Sequence, residues 1–279
     1  MRRTFSLRSV LFPCIGLAAI GFPALSLAAD APAPLLAPEP ASGWIITLGG
    51  SAQVGPKYDG ASKAGFSGIP AFSWRRANEP AKFSAPDDAF DLALVDERRF
   101  SFGPAASFRP GRYSGSDPRL RGLHDVPWTI EAGGFAEFWP VLDRLRTRVE
   151  VKRGFHGHRG FVADASVDWV EKFGRLTLSG GPRLEIGDAR YARTYFAVTP
   201  AEAALNGFLT PFDLRGGAKT AGLATALSYE LTPQWTTTAY ARYDRIVGNA
   251  SRSPIVRYPG QRDQLTLGVG ATYSFKVGG

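Results

Sequence analysis

Residues 145–152 put four charges on alternate positions. Arg146, Arg148, Glu150 and Lys152 interleave with Leu145, Thr147, Val149 and Val151. In an extended strand alternate side chains share a face, so this spacing gathers the charges on one side. A dry core would hold them only at large cost. They therefore face water, either outside a soluble sheet or inside a wet barrel. Arg183 and Glu185 repeat the pattern further along and complete the sharpest electrostatic feature of the chain. Two chemistries fit it: an anion-attracting pore, or an internal salt-bridge network that fills a narrow barrel. At about twelve strands the second is the stronger reading.

Other residue types with chemical potential are weaker. His156 and His158 lie two apart, which in an extended segment would put both rings on one face, as a metal pair needs. Only Asp164 or Glu185 could add a ligand, and Gly154, Gly157 and Gly160 favour a plain external loop. Ser166 and Asp168 share a strand face, with His158 in the preceding loop. Those are hydrolase residue types, but a nucleophile and its base must come within about 3 Å, and serines on lumen faces are ordinary. Ser179-Gly180-Gly181-Pro182 falls inside an alternating strand with no following helix or Lys, unlike a phosphate loop. The sequence thus predicts no catalytic residue, no metal and no cofactor.

The elements that must position these residues begin after an export signal. Arg2, Arg3 and Arg8 precede an apolar stretch from Val10 to Leu27, and Ser26 with Ala28 fits the small-x-small cleavage rule. Residues 1–28 read as a signal peptide cut after Ala28, and 29–42 as a Pro/Ala-rich leader. Cys14, the only cysteine, sits too early in the apolar stretch for lipidation. Cleavage removes it, so the mature chain must be stable in an oxidising compartment without a disulfide. The formal charge of +8 falls to +5 when the three arginines leave. That excess is poor support for nucleic-acid binding and suits the phosphates of lipopolysaccharide or a solvated rim.

Residues 43–279 read as a single all-β domain. Leu265, Leu267, Val269, Ala271, Tyr273 and Phe275 alternate with Gln264, Thr266, Gly268, Gly270, Thr272 and Ser274, which gives one apolar face and one of small polar groups. The same alternation marks eleven strands: 44–54, 66–76, 89–95, 100–109, 128–139, 145–153, 161–170, 175–187, 219–230, 234–246 and 263–275. Short links at Asp96–Arg99, Pro140–Arg144, Glu171–Gly174 and Leu231–Gln234 interleave with longer ones near 110–127, 154–160, 188–219 and 247–262. Bacterial outer-membrane barrels show this asymmetry and an even strand number. A twelfth strand is accordingly expected at 79–85, with ten strands the alternative. The competing architecture is a soluble sandwich or lipocalin-like carrier, which has no reason to sort its loops by parity. The expected fold is an antiparallel up-and-down transmembrane β-barrel in a Gram-negative outer membrane.

A series of short motifs also resembles the MipA/OmpV family. They are Gly103-Pro104-Ala105, Gly111-Arg112, Leu120-Arg121-Gly122-Leu123-His124-Asp125-Val126 and Gly157-His158-Arg159-Gly160. Tyr191 with Tyr195-Phe196-Ala197-Val198, Tyr240-Ala241-Arg242-Tyr243, Ser253-Pro254-Ile255-Val256 and Tyr273-Ser274-Phe275 continue the series. Ala197 stands where the family tends to have Gly, and Asn249 and Arg252 where acidic residues are common. The resemblance implies a non-enzymatic scaffold that brings a lytic transglycosylase and a bifunctional murein synthase together, with a small-solute or drug permeability channel or an adhesin as alternatives. It implies that Tyr273 and Phe275 form the terminal signal read by the barrel-assembly machinery. The extra Lys276-Val277-Gly278-Gly279 would shift that signal.

Overall fold

The computed structural model describes residues 43–214 and 217–278. The expected signal peptide with its cleavage after Ala28, the expected leader at 29–42, and Gly279 lie outside the described residues. The chain forms β1 (Trp44–Pro56), β2 (Ala64–Arg76), β3 (Phe90–Asp91), β4 (Val95–Asp96), β5 (Phe100–Arg109), β6 (Thr129–Val141) and β7 (Leu145–His156). It continues through β8 (Phe161–Phe173), β9 (Leu176–Gly187), α1 (Ala189–Phe196), α2 (Pro200–Asn206), β10 (Gly217–Glu230), β11 (Trp235–Ile246), α3 (Pro254–Arg257) and β12 (Asp263–Val277). All twelve strands join one sheet in the order β2-β1-β12-β11-β10-β9-β8-β7-β6-β5-β3, with β4 also on β5. Every pairing is antiparallel between neighbours, and the first long strand meets the last: Trp44 opposite Val277, Val54 opposite Leu267.

Alternation decides which way each side chain faces. Phe66, Phe108, Leu223, Leu265, Leu267 and Val269 point outward and are more than half exposed, a reversal of ordinary burial that only lipid can satisfy. Aromatics gather at both ends of this apolar band. Trp44, Trp74, Phe138, Trp169, Trp235 and Tyr273 lie at the end with short turns, and Phe108, Trp128, Phe155, Phe161 and Tyr243 at the other. Among the described residues no helix is long and apolar enough to cross a membrane. The strands do the crossing.

Depth along a strand should therefore set the cost of a charge. Val269→Arg, midway between the two girdles on the lipid face, is expected to lower folding stability in bilayers by about 2–4 kcal/mol, and Tyr273→Arg in the girdle by at most about 1 kcal/mol. Urea titrations of the refolded protein check this. Equal losses at both positions would contradict the assigned depths.

Two expectations about strands are corrected. The segment expected as strand 89–95 is divided into β3 and β4, both on β5. Asp91 pairs with Ala105 and Val95 with Phe102, so the register slips by one residue. Leu92 and Leu94 bridge the slip by donating to the Pro104 and Phe102 carbonyls. This is one strand with a bulge.

The larger correction is at 79–85, which forms no strand. Because β2 and β3 run in the same direction, residues 77–89 must climb between them. They climb inside the sheet. The guanidinium of Arg146 on β7 lies 4.9 Å over the Phe83 ring, and Asp87 and Asp88 reach arginines of β9, β11 and β7. Pro80 and Pro86 explain the departure, since neither can donate to a ladder. Consequently β2 and β3 are the two edges of the sheet, unpaired with each other.

The external end is closed by the loops. Tyr191, Tyr195 and Phe196 of α1 pack with Val126, Val162, Leu214, Ile246, Ala250 and Val256, and Leu120, Leu123, Val198, Leu209 and Ile255 form an adjoining cluster. These are the apolar cores of the chain. The strands surround charge instead.

Candidate functional site

Arg146, on β7, has no solvent exposure. It donates to both oxygens of Asp88 at 2.7 and 2.8 Å, to Asp168 of β8 at 2.7 Å and to Glu137 of β6 at 3.4 Å. Arg148 donates to Asp91 at 2.6 Å and to Glu150 at 2.9 Å, and its guanidinium lies 4.2 Å over Phe135. Lys152 contacts Glu150 at 2.5 Å and Asp164 at 3.2 Å. On β9, Arg183 donates to Asp87 and Asp168, each at 2.7 Å. Glu185 lies higher, taking Lys219 of β10 at 2.7 Å and Arg109 of β5 at 3.2 Å. All six of the residues singled out from spacing are buried; Glu150 pairs directly with Arg148 and Lys152, and the remaining contacts run through residues that spacing did not reveal.

The reach from Arg109 to Glu185 shows how the sheet curls. β5 and β9 are four strands apart, about 19 Å in a flat sheet at the usual ~4.8 Å spacing. Their side chains meet at 3.2 Å. Asp59, from the β1–β2 loop, joins this upper layer by pairing with Lys219 at 2.8 Å and Arg109 at 3.2 Å. Tyr191 of the external cap donates its hydroxyl to Asp59 and Glu185. Glu131 is held by Arg109 at 2.6 Å and by His158 at 2.9 Å.

Seven interior cations (Arg109, Arg146, Arg148, Lys152, Arg183, Lys219, Arg242) thus meet eleven carboxylates: Asp59, Asp87, Asp88, Asp91, Glu131, Glu137, Glu150, Asp164, Asp168, Glu185 and Asp244. The anion preference suggested by the basic residues alone rests on an incomplete inventory. A path through this interior would favour cations. Residues 77–89 run through this interior, and a cavity between Ala85, Asp87, Asp168, Arg183, Tyr240 and Arg242 holds about 10 Å³, room for roughly one water. Charges in so confined a space are kept by mutual pairing, because removing either partner strands the other.

The weaker sequence candidates do not assemble. His158 is buried and turned to Glu131, its ring against Gly154, where a Cβ would come within 2.3 Å. His156 takes a left-handed backbone, φ 83°, which breaks the strand period, and its ring stacks 4.6 Å from Trp128. The two rings therefore point apart. Among the described residues no group of His, Cys, Asp or Glu is placed to hold a metal ion. Asp168 is occupied by Arg146 and Arg183, so it serves neither Ser166 nor His158. Ser179–Pro182 lie within β9.

Several of the scattered family-like motifs converge in the external cap. Arg112 is buried and donates to the Tyr195 carbonyl at 2.7 Å and the His124 carbonyl at 3.3 Å, while Ser253 donates to the Phe196 carbonyl at 2.6 Å. Ala197 adopts φ −78°, ψ 153°, so no glycine is needed there. Thr199 and Glu202 form a capping box at α2, and Gly207, at φ 70°, ends the helix in the left-handed region. Phe275 does not end its strand: Lys276 and Val277 continue the ladder opposite Ile45 and Trp44.

Glu202 ties the cap together. Burial opposes its ionisation, but the N–H groups of His124 and Thr199, the His124 ring and the Thr199 hydroxyl all bind it and hold its pKa at about 2. A carboxylate depressed in the folded state stabilises above its ordinary pKa, and that stabilisation is lost as pH falls from about 4.5 to about 2. Pepsin should therefore begin to cut the 199–210 segment within this window. Glu202→Gln should be cut across the whole acid range, and an unchanged digestion pattern would remove Glu202 from the cap's anchors.

A sequence profile of the MltA-interacting protein MipA matches residues 48–275. Among solved structures, the NanC porin aligns at 9% identity and a TM-score of 0.40, over 82% of this chain and 98% of that one. An outer membrane channel from Pseudomonas putida F1 aligns at 10% identity and a TM-score of 0.40, over 86% and 100% of the two chains. A Pseudomonas aeruginosa FadL homologue aligns at 13% identity and a TM-score of 0.34, over 84% and 92%. No curated protein sequence matches the chain significantly.

Proposed function

Because this chain belongs to the MltA-interacting protein MipA family, we propose that it is a non-enzymatic scaffold joining a lytic transglycosylase to a bifunctional murein synthase. It is a β-barrel of the outer membrane, and its wall presents lipid with an apolar band between aromatic girdles. The observation that favours a scaffold over a small-solute channel is the interior, where ion pairs and residues 77–89 occupy the space a solute would need. An adhesin would work through the external loops and leave the periplasmic face idle.

Among the described residues a periplasmic partner has short turns to grip. Arg98 and Arg99, Asp143 and Arg144, Gly174 and Arg175, and residues 232–234 lie in them, at the end where murein lies. A photo-reactive amino acid at Arg98 or Arg175 should therefore cross-link a murein hydrolase and a murein synthase in intact envelopes, and the same probe at Arg190 on the external side should not. Failure to recover either enzyme from the periplasmic positions, or equal recovery from both sides, would overturn the scaffold.

A further inference from the structure

Arg153 stands out on the wall of the barrel. It lies on the outward face of β7 with Val149, Val151 and Phe155, near the external end, and it is exposed. Its guanidinium sits 6.0 Å over the Phe155 ring and 5.9 Å over the Phe161 ring. Among the described residues it has no ion-pair partner. The other outward arginine near this end, Arg245 on β11, is neutralised by Asp263 at 2.9 Å. An unpaired cation facing hydrocarbon is costly, and the cost vanishes only near the interface.

The neighbouring rim adds charge of the same sign. Gly154 donates to the Gly160 carbonyl and Asp188 to the Phe161 carbonyl, which brings the 157–160 turn and the start of α1 to the corner above Arg153. That corner exposes Arg159 and Arg190, neither with an ion-pair partner among the described residues. The one acid beside them, Asp188, is occupied in capping α1 through the Tyr191 N–H. Three guanidiniums therefore lie on the stretch of wall that runs from the level of Phe161 in the aromatic belt to the external rim.

We infer that Arg153, Arg159 and Arg190 form a binding site for the phosphates of an outer-leaflet glycolipid, with Phe161, Val151 and Val149 against its acyl chains. The chemistry of the site selects this occupant. Guanidinium recognises phosphate by paired, charge-assisted hydrogen bonds. The aromatic belt fixes its depth at the headgroup boundary, and the apolar wall directly below suits acyl chains rather than a soluble anion.

Native mass spectrometry of the refolded mature protein can test this with lipid A carrying two, one or no phosphates. Occupancy should fall by about fivefold or more from the bisphosphorylated to the phosphate-free lipid, since each phosphate lost removes charge-assisted bonds. The triple variant Arg153→Gln, Arg159→Gln, Arg190→Gln should show a similar fall with the bisphosphorylated lipid and none with the phosphate-free form. Occupancy independent of phosphate number would overturn the site, as would a triple variant that binds like the unmodified protein. Displacement by millimolar inorganic phosphate would reassign it to a soluble anion and overturn the lipid. Heat-modifiable migration reports whether the variant folds. If it does not, the phosphate series on the unmodified protein decides alone.

Discussion

Replacing Arg146 with alanine is expected to destabilise the folded barrel by about 3–5 kcal/mol, the range for breaking a buried ion pair from one side. Arg146 is fully buried and holds Asp88, Asp168 and Glu137. Without it, three carboxylates would be left close together in a confined space, with Asp168 still served by Arg183 and Asp88 held only by Arg148 at 3.9 Å. The loss should exceed any from an exposed pair such as Arg245–Asp263, whose attraction is screened by water. Arg146→Lys should fall between, because an ammonium keeps the charge but cannot grip Asp88 with two parallel bonds. Urea unfolding followed by tryptophan fluorescence measures these differences. A loss below about 1 kcal/mol for the alanine variant would mean that water, not protein, satisfies the interior.

The second large effect is on conductance. The unmodified protein should be electrically silent in planar bilayers, since residues 77–89 occupy the interior and the external cap closes the mouth. Replacing 79–88 with a Gly/Ser linker of the same length keeps the chain connected while removing Asp87 and Asp88. Conductance should then appear. It should lean toward cations, because nine of the eleven carboxylates remain against seven cations. Preference for anions would show that the arginines dominate the path, and steady conductance in the unmodified protein would promote the channel over the scaffold.

Both predictions turn on a segment that sequence reading placed wrongly. Parity correctly demands that the chain climb once more between β2 and β3, and the strand at 79–85 was the economical way to do it. Pro80 and Pro86 stood in the sequence as an objection. What they could not reveal was the alternative: a climb inside the wall, held by Asp87 and Asp88 on arginines from strands about sixty to one hundred and fifty-five positions away.

The sequence by itself determined the antiparallel alternation, the eleven well-marked strands, the loop parity and the outward apolar face, because each depends on side chains a few positions apart. It also gathered Arg146, Arg148, Glu150 and Lys152 on one face. Only the tertiary structure decided what answers those charges. Asp88, Asp91, Glu137, Asp164 and Asp168 come from other strands and loops, and curling the sheet brings them within hydrogen-bonding distance. It likewise separated His156 from His158, since a left-handed residue at 156 breaks the period that their spacing assumed. Local periodicity fixes which side of a strand a residue faces, and the curling of the sheet fixes what it meets there.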